Sequence, residues 1–259
     1  LLDGIIPTNF SNITHLEITD DGKNLYVYDR DHSGNGNLQH FNIENDSLSY
    51  VLKITGATNA YSDLLIETVD DKIMLSVTKN SSGEYDLVRG ELSGDTIGNQ
   101  TSVRFRERVG NFKKISNKYY ISEGLRGIVV VDSESNELID EIDTPGEALD
   151  VSFKDGYIFV ADRQDGLQVI DYTGTEHNII YNYNTTGYAQ SIAINGNYAA
   201  VASGGGGVYL FDISDIDQIK MIHRMTSSDL GYCLDVKFYD EYLYVGSRDL
   251  GVVKLSINK

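Results

Sequence analysis

Asp162-Arg-Gln-Asp-Gly-Leu-Gln-Val-Ile-Asp171 reads as a tight turn that leads into an apolar strand, and the chain writes this phrase four times. Its other copies are Glu123-Gly-Leu-Arg-Gly-Ile-Val-Val-Val-Asp132, Ser203-Gly-Gly-Gly-Gly-Val-Tyr-Leu-Phe-Asp212 and Ser247-Arg-Asp-Leu-Gly-Val-Val-Lys-Leu-Ser256. The closing glycines, Gly127, Gly166, Gly207 and Gly251, are spaced by 39, 41 and 44 residues. A period of about 40–45 residues made of short strands is the mark of β-propeller blades.

Around the quoted phrase the grammar of a whole blade can be read. Residues 148–153 alternate, Lys154-Asp155-Gly156 turns, and Tyr157-Ile-Phe-Val-Ala161 is an unbroken apolar run. Such a run suits a strand covered on both faces by neighbouring blades. Leu167–Asp171 is the third strand, and residues 177–184 form a fourth, more polar one. The unit recurs from 187 to 226, and a last copy at 231–257 stops after three strands.

The whole of 1–259 is therefore expected to form one all-β domain, a six-bladed propeller of four-stranded antiparallel blades. The blades fall near 11–55, 61–108, 110–144, 146–185, 187–226 and 231–257. Residues 1–9 are expected to supply the missing fourth strand of the last blade, a 3+1 closure that hides an open edge.

The segments Gly-x-Ala-x-Asp-Val (146–151), Tyr-x-x-Val-Ala (157–161) and Gly-Leu-x-Val-x-Asp (166–171) resemble the LVIVD-repeat family of β-propellers. The naming segment stands here as Leu167-Gln-Val-Ile-Asp171 and Val208-Tyr-Leu-Phe-Asp212. The resemblance covers 110–259 well, and 11–109 only through blade spacing. It implies a propeller on or outside a bacterial or archaeal cell, and it names no chemistry. The chain has no Trp, so it fits the Trp-Asp repeat family poorly.

The formal net charge is −18, from 39 acidic and 21 basic residues. Such a surface repels nucleic acid and anionic membranes, so no nucleic-acid partner is expected. No apolar run approaches the ~18–20 residues of a membrane span. The single cysteine, Cys233, allows no intrachain disulfide, and it stands where the two preceding units have Ala148 and Ala189. The opening Leu1-Leu2-Asp3-Gly4 reads as the start of an excised domain, part of a larger surface protein or a monomer.

Propellers bind at the face built from second-to-third-strand turns and blade-to-blade links. Aligned by repeat, those turns place Arg30, Lys79, Arg163 and Arg248 at one position, where the remaining two units have Gly124 and Gly204. A ring of such cations can hold a carboxylate or phosphate, or each can pair with an acid of its own or the next blade. The inner strands begin with His15, Asp63, Asp150 and Asp235 among others. These can ligate a cation, or accept hydrogen bonds that tie strands together. Tyr188 and Tyr232 precede inner strands at matching positions and suit a contact surface.

One loop has oxygen-bearing residues at calcium-loop spacing: Asp29, Asp31, Ser33, Asn35 and Asn37, with Gly34 and Gly36 between. It resembles the calcium hairpins of integrin-type propellers, with Ser33 and Asn37 in place of acids. Calcium is the one cofactor the sequence offers. No nucleophile elbow, zinc-protease motif, paired-cysteine site or phosphate loop is present.

The expectation is a binding module for a protein or glycan, extracellular, at the cell surface or periplasmic. Its rival is a propeller hydrolase or lyase that acts on a glycan or small anion. In that case Asp63, Asp150 and Asp235 would need one carboxyl with a raised pKa.

Overall fold

The computed structural model describes residues 13–257, except 20–21, 31–35, 45–46, 55–60, 70–71, 82 and 240. The chain divides into two compact units, Leu1–Val109 and Gly110–Lys259.

The first unit holds two four-stranded sheets. One runs β1 (Ile13–Ile18), β2 (Asn24–Arg30), β3 (Gly36–Glu44) and β4 (Ser47–Ile54) in spatial order. The other runs β5 (Tyr61–Val69), β6 (Lys72–Ser81), β7 (Glu84–Ser93) and β8 (Thr96–Phe105). The sheets meet through β1 and β5, over a core that includes Tyr26, Tyr28, Leu38, Leu64, Leu75 and Val77.

The second unit holds four sheets. The third sheet of the chain is β9 (Phe112–Ile115), β10 (Lys118–Ser122), β11 (Ile128–Asp132) and β12 (Leu138–Ile142). The fourth is β13 (Asp150–Lys154), β14 (Tyr157–Ala161), β15 (Leu167–Asp171) and β16 (Asn178–Tyr183). The fifth is β17 (Ser191–Asn195), β18 (Tyr198–Ala202), β19 (Val208–Asp212) and β20 (Lys220–Met225). The sixth has β21 (Cys233–Tyr239), β22 (Tyr242–Ser247) and β23 (Gly251–Ser256). Inner strands β9, β13, β17 and β21 lie beside one another in that order.

Burial follows the residue pattern. In β14, Ile158, Phe159, Val160 and Ala161 are fully buried, because the strand has a sheet on each side. The outer β16 is exposed along most of its length.

Each completed sheet carries one register slip between its third and fourth strands, at His40/Phe41, Arg89/Glu91, Val130/Val131, Val169/Ile170 and Leu210/Phe211. A bulge twists an outer edge away from flat pairing, which discourages edge-to-edge aggregation.

The final Asp of the repeated phrase has a local task. Asp132 accepts the amides of Glu134 and Ser135 at 2.9 and 2.8 Å. Asp171 accepts the amide and hydroxyl of Thr173 at 2.8 and 2.6 Å. Asp212 accepts the Ser214 amide at 2.9 Å. A carboxylate held this way closes the turn that leaves the third strand. Hydrogen bonds from Ser135, Thr173 and Ser214 hold the three carboxyls below the usual carboxylate range.

The expected closing strand, residues 1–9, lies outside the described residues. Among the described residues no strand pairs with the outer edge of β23. Beside that edge runs an apolar groove of about 590 Å³, lined by Leu210, Ile222, Met225, Leu243 and Leu255 among others.

Candidate docking face

In the second unit the two expected loop sets do meet. Gly124 bridges Ala148, Arg163 bridges Ala189, and Gly204 bridges Cys233. In each case the turn residue's carbonyl accepts the amide of the next sheet's link, at 2.8, 2.8 and 3.0 Å. Cys233 thus does the work of Ala148 and Ala189, and all three are buried. The bridging residues Gly124, Arg163 and Gly204 have φ of 51°, 43° and 49°, the left-handed region.

The residues before the second and third bridges, Asp162 and Ser203, face inward and grip the preceding link. Asp162 is fully buried; its carboxylate accepts the Thr144 hydroxyl at 2.7 Å and the Gly146 amide at 2.9 Å. One repeat later, the Ser203 hydroxyl lies 2.7 Å from that of Thr185 and donates to the Thr186 carbonyl at 3.0 Å. Burial pushes the Asp162 carboxyl above its ordinary range, against the pull of its two donors. This Thr-x-Gly clasp, at 144–146 and again at 185–187, recurs in the sequence with the blade period, a signal beyond the expected site residues.

Two of the four expected cations lie on this face, each stacked on an expected tyrosine. The Arg163 guanidinium sits 5.2 Å from the centre of the Tyr188 ring and also pairs with Glu147. The Arg248 guanidinium sits 4.2 Å from the Tyr232 ring centre. The Tyr232 ring covers Gly204, where an added Cβ would lie 2.8 Å from Cζ. The Tyr232 amide is taken by Asp249 at 2.7 Å. The glycine-rich turn of residues 203–207 therefore lies between the two stacks. Its Gly206 must lack a side chain, because a Cβ there would fall on the Thr186 carbonyl oxygen.

Lys79 is elsewhere than the repeat alignment put it. It lies inside β6, not in a turn, because β6 and β7 pair onward to Ser81 and Glu84. Thr78 is likewise a buried strand residue. The long hairpin carries the strand pairing on past Lys79, so Lys79 does not share the turn position. Arg30 ends β2, paired with Gly36, and its side chain lies outside the described residues.

The inner-strand acids are tied to backbone. Asp63 accepts the Leu64 amide at 2.9 Å. Asp150 accepts the Val151 amide and, from the next sheet, the Ile192 amide, both at 2.8 Å. Asp235 accepts the Val236 amide at 2.8 Å and the Ser191 hydroxyl at 2.7 Å. These bonds link β13 to β17 and β17 to β21. His15 lies in β1 opposite Tyr28, and its side chain lies outside the described residues. Among the described residues no cluster of His, Cys, Asp or Glu is arranged to hold a metal.

Of the expected calcium loop, Asp31, Ser33 and Asn35 lie outside the described residues. Asp29 is described only as strand backbone, and the side-chain oxygen of Asn37 accepts the Lys53 ammonium.

Around the stacks, the charges are largely matched within the protein. Glu123 pairs with Arg126, Glu147 with Arg163, and Asp249 caps a backbone amide. What projects is Leu125, 63% exposed, Tyr188, 48%, and Leu250, 57%. Among the described residues no helix is long and apolar enough to cross a membrane.

Comparison with solved structures establishes the fold. The Neurospora crassa Pan2 WD40 domain is matched with a TM-score of 0.65 at 10% identity, over 95% of this chain and 76% of that one. Sqt1 from Saccharomyces cerevisiae is matched at 0.63 and 11% identity, over 93% and 70%. A chain of the Mitotic Checkpoint Complex is matched at 0.75 and 10% identity, over 95% and 75%. At such identities the likeness concerns the fold, an all-β six-bladed propeller. No curated protein matches the chain. The LVIVD repeat model matches residues 145–172 and 186–226. Those two stretches of this β-propeller are LVIVD repeats, as the turn-and-strand phrase implies.

Proposed function

We propose that the protein is a non-enzymatic binding module that docks another protein on the turn-and-link face of its second unit. We place it in a bacterial or archaeal surface or secreted protein, in line with the LVIVD resemblance and with an acidic chain holding one cysteine.

The observation that carries this reading is the composition of the exposed tips. Leu125, Tyr188 and Leu250 are exposed on the same turns and links that carry the arginines stacked on tyrosines. Aromatic residues, Arg and apolar anchors with few uncompensated charges are what protein interfaces concentrate. The likeness to the Pan2 WD40 domain accords with a scaffold of this kind. The fold holds the loops through backbone bridges, so the face is preorganised and little ordering entropy is lost on binding.

The rival hydrolase or lyase gains nothing from these contacts. The acids it would use, Asp63, Asp150 and Asp235, each accept at least one structural hydrogen bond.

The test is site-specific photo-crosslinking in the producing cell, with the crosslinker at Leu125, at Leu250, or at Ile180 of the outer strand β16. One discrete adduct from the two face positions, lost in a Tyr188→Ala background and not formed from Ile180, is the expected result. Equal adducts from Ile180, or adducts indifferent to Tyr188→Ala, would overturn it.

A further inference from the structure

Arg163 stands where the adjacent repeats have glycine. Gly124 and Gly204 hold the same left-handed turn and make the same bridge to the next sheet. Glycine adopts that backbone without penalty, and a residue with a Cβ does not. A strained residue kept where the local rule asks for glycine points to work done by its side chain. The Arg163 side chain is 43% exposed, held on one face by Tyr188 and at one nitrogen by Glu147.

Arg248, on the far side of the glycine turn, repeats the tyrosine stack without the left-handed backbone. It is exposed and stacked on Tyr232, while the neighbouring acid, Asp249, is turned to the Tyr232 amide. The link between the two is continuous. Gly187, next to Tyr188, packs against the Ser203 carbonyl and the Gly206 amide, and Gly204 lies under Tyr232. Between the stacks, Gly205 is exposed, with open space where a side chain would stand.

We propose that the partner docks through an extended peptide segment that lies over Gly204–Gly206 and gives one carboxylate to each of Arg163 and Arg248. This rests on the docking reading above and names the chemistry of the docked segment. A guanidinium fixed by stacking keeps its donor fork in one orientation and loses little freedom when a carboxylate binds. The chain's net charge of −18 does not forbid this. At physiological salt charges beyond roughly 8 Å are screened, so the local balance decides, and there the acids Glu147 and Asp249 are already engaged, by Arg163 and by the Tyr232 amide.

The test uses two capped hexapeptides, Ser-Glu-Gly-Gly-Glu-Ser and the same sequence with both Glu replaced by Gln, titrated into the ¹⁵N-labelled full chain. The diacid is expected to shift the Gly204–Gly206 amides and to bind at least about five-fold more tightly than the diamide. Arg163→Gly and Arg163→Lys should each abolish that preference. The Gly variant should melt within about 3 °C of the parent, since relief of left-handed strain offsets the lost contacts. Equal binding of both peptides, binding of the diacid that survives in Arg163→Gly, or no binding of either would each overturn the proposal. If the Leu125 and Leu250 crosslinks persist in that last case, the docking face stands and only its carboxylate chemistry falls.

Discussion

The carbonyl of Arg163 accepts the Ala189 amide at 2.8 Å while its own backbone is left-handed, so one residue both latches two sheets and carries an exposed cation. The latch belongs to the backbone, and any residue at 163 keeps it. Replacing Arg163 by Gly removes a conformational penalty of about 1 kcal/mol. It also removes an ion pair and a cation–π contact worth about 0.5–1 kcal/mol each. The net change in unfolding free energy is expected to lie within about 1 kcal/mol, as read by urea denaturation. A much larger loss would mean that the side chain, not the backbone, holds the sheets together.

Asp162 is the opposite case, a side chain on which the link depends. Asp162→Ala leaves the buried Gly146 amide and Thr144 hydroxyl without their acceptor. A loss of about 2–3 kcal/mol is expected. The Asp162 carboxyl is raised by burial, so its neutral form is favoured in the folded state. Its contribution is full below the ordinary carboxylate pKa and declines as pH rises through the folded value. The difference in stability between parent and Asp162→Ala should therefore narrow, not widen, from acid toward neutral pH.

Asp132, Asp171 and Asp212 carry the reverse sign. Their turn donors depress each carboxyl, so the stabilisation is present above the unfolded pKa, near 4, and is lost as pH falls through the lower folded value. Acid unfolding monitored by circular dichroism should begin below pH ~4. Converting all three to Ala should lower the melting midpoint at neutral pH and remove much of the acid limb.

At the outer seam between the third and fourth sheets, Tyr172 stacks on His177 at 4.2 Å, and His177 lies 2.6 Å from Asp140. The matching place one repeat on is apolar, filled by Ile213 and Ile219. Burial, with Asp140 nearby, pushes the Tyr172 phenol up to about 12. The neutral phenol is the folded form. Stability is full below pH 10 and lost as pH rises from 10 to about 12. With solvent screening of this half-buried site, the loss is about 1 kcal/mol. Tyr172→Phe should flatten the alkaline limb of the denaturation curve between those values. An unchanged limb would place the alkaline transition on another group.

The blades were legible because the turn-and-strand phrase is local and repeats with little drift from residue 123 onward. The fully apolar β14 and the capping Asp171 follow from the same phrase. In the first unit the repeat is looser. There β6 and β7 extend past the expected turn, and spacing alone assigned Lys79 to a place that the longer hairpin had moved. The pairing of Arg163 with Tyr188 crosses two repeats, and no single blade contains it. The Thr144 and Thr185 clasps recur with the blade period, but they are made by uncharged residues in links that carry no motif. Of the inner acids Asp150 begins its strand, while Asp63 and Asp235 stand third in theirs, and the strand-tying reading is met for Asp150 and Asp235 by the Ile192 amide and the Ser191 hydroxyl.

The docking face is tested most directly by where a partner touches the protein. With crosslinkers at Leu125, Leu250 and Ile180 compared side by side, one discrete adduct is expected from the first two positions, absent in the Tyr188→Ala variant. Adducts that form as well from Ile180, or that ignore the loss of Tyr188, would contradict it.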